Sequence, residues 1–294
     1  MMEPFVRALT VQFINERLAS GQADLVRDFA WELPARVIFR VLGVPDADVE
    51  RVKAGSESRL LFQFGRPTPD EQCQLAQGMA TFWRYTEELV ANRTHEPGDD
   101  FTTDLIQARD GDVPALNAQE VATIVFGLLL AGHETTTNLL GNALRCLLSQ
   151  REAWQEICAD VSCIPNAIEE VLRFDSSVIA WRRRTTQAVD ISGVAVPAEA
   201  NLLLLLGSAN RDPDIFPDPD RFDIHRSNAK EHLSFGHGAH LCLGAPLARL
   251  EARVVLEELS SRLPSLRVVP GQTFRFLPNF SFRGPRSLQG EWDV

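Results

Sequence analysis

The segment that most constrains the fold of this 294-residue chain is a long apolar stretch at residues 118–148. Before its middle it is apolar almost all the way round, which is typical of a helix buried on every side. A helix of this length extends about 45 Å at 1.5 Å per residue. It would cross the whole molecule, so the other elements must pack around it. A loop is expected just before it, at residues 108–117.

The middle of this segment reads AGHETTTN and predicts a break in the helix. Gly132 is a poor helix former, and the threonines that follow Glu134 can turn their hydroxyls back onto preceding carbonyls. Glu134 and Thr135 place an acid beside a hydroxyl at this break, and such a pair can relay protons to a bound ligand. The zinc-protease motif HExxH is excluded, because Thr137 stands where its second histidine would be.

A second constraint is the run FGHGAHLCLG at residues 235–244. Gly236 and Gly244 would let the main chain approach a flat ligand closely. A helix is predicted directly after Cys242, and its positive N-terminal end would lower the pKa of the thiol and favour a metal-binding thiolate. Phe235 could shield that side from water. A cysteine in such a loop is commonly a small buried hydrophobe, so these residues alone leave both interpretations open.

The rest of the chain predicts a mainly α-helical protein with a small β portion, and we expect residues 1–294 to form one domain. A helix at 24–42 would end at the stop signals Gly43 and Pro45. The sequence TPDE at 68–71 predicts a capping box. The remaining prediction is of short strands, at 178–186, 189–191, 201–206 and in the tail after residue 266.

Composition narrows the class of protein. The net charge of −11 argues against a nucleic-acid-binding surface. The five cysteines contain no CxxC pair and no charged-then-apolar leader precedes them, so we expect a reducing cytoplasm. The longest apolar helical run, residues 121–131, is shorter than the roughly 20 residues of a membrane span, so we expect no membrane anchor.

Four segments resemble, in order and at compatible spacing, the motifs of the cytochrome P450 family, the haem-thiolate monooxygenases: AGHETT, ExxR at 170–173, PDPDRF and FGHGAHLCLG. The resemblance implies the P450 fold and a haem b whose iron is bound by Cys242. It makes Glu134 and Thr135 the acid and hydroxyl of oxygen activation. The other cofactor-binding residues that it implies are Phe235, Gly236 and Gly244 in the loop, with His240 and Arg183 as partners of the haem propionates.

The ExxR resemblance gives meaning to a pair that would otherwise be ordinary. Glu170 and Arg173 are three apart on a predicted helix, and most such pairs are solvated and worth less than about 1 kcal/mol. In the family this element belongs to a buried network behind the thiolate loop. The resemblance implies that Arg221 of PDPDRF completes that network.

The implied reaction inserts one oxygen atom from O2 into a hydrophobic small molecule. Electrons would come from a separate ferredoxin or flavodoxin-like donor, for which Arg249 and Arg253 could provide a basic footing; the alternative is that they are ordinary exposed charges. The expected pocket residues are Leu128, Ala131, Val178, Ile179 and Phe280.

Chains of this family normally start well before the position of Met1, so the resemblance also implies an N-terminally truncated fold. The leucine-rich strand at 202–206 would then lack neighbours and be prone to aggregation. Two hypotheses follow. The chain is a monooxygenase, or it is a truncated, non-catalytic fragment with weak or no haem binding.

Overall fold

The computed structural model describes residues 2–108, 115–276 and 278–294, so most of the loop expected at 108–117 lies outside the described residues. Helices dominate, as predicted. The helices are α1 (Glu3–Arg17), α2 (Leu33–Leu42), α3 (Val49–Phe64), α4 (Pro69–His95), α5 (Phe101–Gln107), α6 (Ala118–Ala131), α7 (Glu134–Ser149), α8 (Arg151–Ala159), α9 (Ile164–Phe174), α10 (Leu206–Ala209) and α11 (Ala245–Arg262).

The β portion is small, and every strand pairing in it is antiparallel. The strands are β1 (Gln22–Asp24), β2 (Trp181–Arg184), β3 (Val189–Ile191), β4 (Val194–Val196), β5 (Asn201–Leu204), β6 (Arg267–Val268) and β7 (Gln289–Glu291). A three-stranded sheet in the order β1-β7-β6 ties the start of the chain to its end, while β2 pairs with β5 and β3 with β4.

The predicted long helix is present as two helices that belong to different apolar cores. Val125 and Leu129 of α6 are buried in a core shared with α2 and α4. Leu140 and Leu144 of α7 are buried in a second core shared with α9 and α11. The segment therefore joins the two cores, which is the central position expected for it.

The break in this segment falls where the sequence predicted it, between Ala131 and Glu134. The Thr135 hydroxyl donates to the Ala131 carbonyl at 2.8 Å, the back-bonding expected of a threonine here. Helix α2 crosses close to Gly132, so that a Cβ at this position would lie 2.3 Å from Cγ1 of Ile38. Glycine therefore permits the close approach of α2 to the break.

The helix predicted at 24–42 is wrong in its first half. Residues there form β1 and a π-helical turn, Val26–Ala30, and α2 begins only at Leu33. The cause is Asp24, whose Oδ1 accepts the N–H groups of Val26 at 3.1 Å and Leu288 at 3.0 Å. The predicted stop is confirmed, since Gly43 has a left-handed φ of 74°.

Two local predictions have clear outcomes. The capping box is confirmed, because Thr68 accepts from the Glu71 N–H at 3.4 Å and Glu71 accepts from the Thr68 N–H at 2.7 Å. Within the described chain β5 pairs with β2 alone, so its other edge is open. Leu203 of β5 is 50% exposed and Leu205, just beyond the end of β5, is 56% exposed; the strand predicted at 201–206 ends at Leu204, because α10 begins at Leu206.

Candidate functional site

Cys242 lies in the wall of an apolar cavity of about 200 Å³ between the helix break and the start of α11. Leu128, Ala131 and Thr135 line the wall contributed by α6 and α7. Phe235 and Gly244 line the wall that carries Cys242. The two most distinctive sequence motifs thus meet across one cavity.

The loop that carries Cys242 is shaped by its glycines. Gly236 and Gly238 have φ values of 75° and 71°, in the left-handed region that favours glycine. The Cys242 N–H donates to the Phe235 carbonyl at 2.9 Å and closes the loop. Gly244, immediately before α11, places no side chain between the helix start and the sulfur. The main chain is therefore accessible on both sides of Cys242.

The solvent exposure of Cys242 excludes the interpretation of this cysteine as a small buried hydrophobe. Cys242 is exposed, whereas Cys146 is 4% exposed and burial raises the pKa of its thiol to about 12. Cys146 is thus the small buried hydrophobe, and Cys242 is available as a ligand. An exposed thiol that faces an apolar cavity across a glycine-rich loop fits a flat prosthetic group with a soft metal, such as the haem that the resemblance implies.

Some of the predicted cofactor-binding residues line the cavity and others lie outside its wall. Phe235 and Gly244 line the cavity together with Cys242, and Gly236 lies in the adjoining turn. His240 is exposed in the single turn before Cys242. Arg183 is exposed on β2, where its Nη1 donates to the carbonyl of its neighbour Arg182 at 2.9 Å. The roles of His240 and Arg183 toward the propionates stay predictions.

The structure brings Thr135, but not Glu134, to the cavity. Thr135 lines it. The Glu134 side chain is buried, and its Oε1 lies 3.4 Å from Nε2 of His133. The predicted acid therefore lies beside His133 and does not line the Cys242 cavity, and its role in a proton relay stays a prediction.

The buried ion network behind the loop contains Arg226, so the prediction of Arg221 as its third member is wrong. Arg173 donates to Glu170 through Nε at 2.7 Å and Nη2 at 2.8 Å, and both side chains are fully buried. Nε of Arg226 lies 3.2 Å from Oε2 of Glu170. The Arg221 side chain is 67% exposed beside Asp223, and only its carbonyl joins the network, accepting from Arg173 at 3.1 Å and Arg226 at 2.9 Å.

A second cavity of about 730 Å³ adjoins the first and shares Ala131, Thr135 and Val178 with it. Of the expected pocket residues, Leu128, Ala131 and Val178 lie in cavity walls. Phe280 packs against Phe64, with ring centroids 5.8 Å apart. Ile179 packs against Gly207, and neither Ile179 nor Phe280 lines either of the two cavities, so their assignment to the pocket stays a prediction.

Sequence reasoning missed two charged residues of the cavity walls. Glu251 of α11 lines the Cys242 cavity, and Arg59 of α3 lines the second cavity, which we call the outer cavity. Glu251 is 1% exposed, its Oε2 has no hydrogen-bond partner, and burial raises the pKa of the carboxyl well above its usual value. In sequence both residues stand among other charged residues of a helix, and no motif distinguishes them.

Both Arg249 and Arg253, the predicted basic docking surface for the electron donor, have acidic partners. Arg249 donates to Glu169 through two nitrogens at 2.6 and 2.9 Å, and Arg253 pairs at 2.8 Å with Glu3 and with Glu257. Burial would raise the pKa of Glu169, but hydrogen bonds from Arg249 and His232 lower it to about 2. These ion pairs offset the positive charge of both arginines.

Within the described parts of the chain, none of the helices combines the length and apolarity needed to cross a membrane.

Known proteins are similar to this chain in sequence and in architecture. The chain is 37% identical to the cytochrome P450 monooxygenase PikC of Streptomyces venezuelae over 297 residues, which cover 99% of this chain and 69% of PikC. It is 38% identical over 265 residues to 6-deoxyerythronolide B hydroxylase of Saccharopolyspora erythraea, covering 90% of this chain and 64% of that protein.

Solved structures agree. Cytochrome P450 CREJ in complex with (4-ethylphenyl) dihydrogen phosphate has a TM-score of 0.95 at 38% identity, over 99% of this chain and 73% of CREJ. P450BioI in complex with an acyl carrier protein that bears hexadec-9-enoic acid has a TM-score of 0.94 at 33% identity, over 99% of this chain and 74% of P450BioI. The family described as Cytochrome P450 matches residues 52–164 and 156–264. Taken with the exposed cysteine that faces the helix break across the cavity, these matches show that the chain belongs to the cytochrome P450 family.

Proposed function

We propose that this chain, as an oxidoreductase of the P450 family, inserts one oxygen atom from O2 into a hydrophobic small molecule at a haem b ligated by Cys242. The relatives named above as a monooxygenase and a hydroxylase support the reaction class. The observation that carries the proposal is the exposed Cys242 facing Thr135 across an apolar cavity.

Cys242 would supply the thiolate ligand of the iron. Phe235 and Gly244 would flank the sulfur, one as an apolar shield and the other as bare main chain at the start of α11. When bound, the haem supplies oxygen activation, which thiolate ligation directs toward cleavage of the O–O bond. Arg183 and His240 are proposed to bind its propionates.

Proton delivery is assigned to the helix break. Thr135 lies in the cavity wall, where its hydroxyl would hold a water or pass a proton. Glu134 is the proposed acid, and it would reach Thr135 by giving up its position beside His133. The Gly132 break makes such a rearrangement local to one turn.

Electrons are proposed to come from a separate ferredoxin or flavodoxin-like protein. Because Arg249 and Arg253 are already paired with carboxylates, docking of this donor does not rest on them alone. Salt would therefore weaken the association less than it would for an exposed basic patch.

A second candidate is a chain that keeps the fold but holds haem weakly or not at all. The observation in its favour is the open edge of β5, where Leu203 and the following Leu205 are half exposed. An unpaired strand edge of this kind is prone to aggregation.

The deciding experiment is the spectrum of the haem-loaded chain after reduction and addition of carbon monoxide. We expect the red-shifted Soret band of thiolate-ligated haem, and its loss in Cys242→Ala. Cys73→Ala, which removes another exposed cysteine, is the matched control and should keep the band. A band that survives in Cys242→Ala would refute the ligand assignment, and a wild-type chain without the band would favour the second candidate.

A further inference from the structure

The outer cavity has a mostly apolar wall, and the charged side chains in that wall are positive. It adjoins the Cys242 cavity at Ala131, Thr135 and Val178, so a ligand in it could reach the proposed site of oxidation. Aromatic and aliphatic side chains form most of its wall, namely Phe62, Phe64, Leu130, Trp181 and Phe282. The charged side chains among its lining residues are both arginines, Arg59 and Arg182, although the chain as a whole has a net charge of −11.

Arg59 is a partly buried cation without an acidic partner among the described residues. Its Nη1 donates to the Phe126 carbonyl at 2.7 Å, and its Cζ lies 4.3 Å from the centroid of the Phe126 ring. Its Nε is buried and has no hydrogen-bond partner. Burial lowers the pKa of the Arg59 guanidinium, and no carboxylate counters that effect. A desolvated cation of this kind is costly unless an anion or a set of hydrogen bonds compensates it.

Arg182 adds a second unpaired guanidinium. Its Cζ lies 4.4 Å from the centroid of the Phe280 ring, and in the described part of the chain it forms no ion pair. Arg184, two residues on and outside the cavity lining, shows the ordinary alternative, since it pairs with Glu199. Neither of the two arginines that line the cavity has an acidic partner among the described residues, so both charges are available to an anion in the cavity.

We propose that the substrate carries an anionic head group, a carboxylate or a phosphate monoester, which Arg59 and Arg182 bind. Its apolar body would lie along the aromatic wall and bring a carbon atom to Thr135 and the Cys242 cavity. Guanidinium groups bind both kinds of oxyanion through charge-assisted hydrogen bonds. This inference rests on the proposed function, because the arginines would then set the distance between the head group and the oxidised carbon.

Binding to the haem-loaded chain tests this with four probes of one chain length: dodecanoate, dodecyl phosphate, 1-dodecanol and dodecyltrimethylammonium. Two readouts are followed, the shift of the Soret band and the quenching of tryptophan fluorescence, to which Trp181 in the cavity wall contributes. We expect dodecanoate or dodecyl phosphate to bind at least about 10-fold more tightly than dodecanol, as a charge-assisted hydrogen bond would give. Comparison of these two anions identifies the head group.

Variants assign the effect to the arginines. Arg59→Gln and Arg182→Gln should weaken binding of the preferred anion about 10-fold and leave dodecanol unchanged. Arg66→Gln is the control, because it removes a charge from an exposed residue just beyond α3 that lies outside the cavity lining. Equal affinity for dodecanol and both anions, or an equal loss in Arg66→Gln, would overturn the proposal.

The fluorescence readout separates the two proposals, since it does not need the haem. A chain that lacks the thiolate Soret band but still prefers an anion by fluorescence refutes the proposed function and supports the anion site. A chain that shows the thiolate Soret band but has no preference for an anion supports the proposed function and refutes the anion site.

Discussion

Replacing Arg226 by Gln should destabilise the protein much more than the same replacement of Arg221. The Arg226 side chain is 8% exposed and donates to the Glu170 carboxylate and to the carbonyls of Pro217, Asp218 and Arg221, the last three at 2.7, 3.0 and 2.9 Å. Glutamine is shorter and uncharged, so it leaves most of these acceptors without a donor. Burial then makes each unpaired group costly.

The size of the stability loss depends on which hydrogen bonds of Glu170 remain after the substitution. Removal of one partner from a buried ion pair costs about 3–5 kcal/mol. Arg173 keeps both oxygens of Glu170 hydrogen-bonded, so Arg226→Gln belongs at the lower end, about 3 kcal/mol. Arg221 is 67% exposed and its contact with Asp223 is 3.8 Å long, so Arg221→Gln should cost less than about 1 kcal/mol.

Urea unfolding at pH 7, followed by tryptophan fluorescence and far-ultraviolet circular dichroism, measures both losses. Trp154 is fully buried and reports the α7–α9–α11 core. The midpoint should fall at an unchanged slope if only the free energy of unfolding changes. An Arg221→Gln variant as unstable as Arg226→Gln would refute the network described here. Because Arg173 and Arg226 share Glu170, their two losses should not add.

Two further changes test the cavity walls. Because burial raises the Glu251 pKa, the folded chain keeps a proton that the unfolded chain loses above pH about 4.5. Wild-type stability should therefore fall as pH rises above that value until the folded pKa is passed, and Glu251→Gln should remove this slope in urea unfolding; an unchanged slope would contradict a buried neutral acid. Gly132→Ala should lower the free energy of unfolding by about 1–3 kcal/mol through overpacking, since the added Cβ would lie 2.3 Å from Ile38. In the same assay, Gly132→Ala should cost less when it is made in an Ile38→Ala background, where the space is free. A loss unaffected by Ile38→Ala would place the cause in the helix backbone.

Local signals predicted local structure well. Gly132 and the threonines after it marked the break in the long helix, and TPDE marked the start of α4. The failure at residues 24–32 has a different origin. Asp24 is held by the N–H of Leu288, a residue 264 positions away, and no pattern within a short window contains that partner. Apolar spacing alone therefore started the helix at Asp24, nine residues before α2 begins at Leu33.

The site shows the same division. Resemblance identified Cys242, which the structure presents in a cavity, but it assigned the network arginine to Arg221 instead of Arg226. Both arginines lie in one turn-rich segment, and only the folded chain shows which side chain is turned inward. Arg59 was missed because its feature is burial without an acid, which is a property of the packed helices and not of the sequence around it.

Hydrogen bonds connect the buried Glu170–Arg173 ion pair to the loop that carries Cys242. The ion pair therefore affects the cavity as well as the stability of the fold. Arg173 donates to the Asn210 carbonyl at 3.0 Å. The Asn210 side chain in turn donates to the Ser234 hydroxyl at 2.8 Å and accepts the Leu233 N–H at 2.7 Å. Ser234 directly precedes the FGHGAHLCLG loop. The position of Cys242 is therefore fixed from the side of α9 by hydrogen bonds that begin at Arg173, while helix α2 fixes the opposite wall by packing on Gly132.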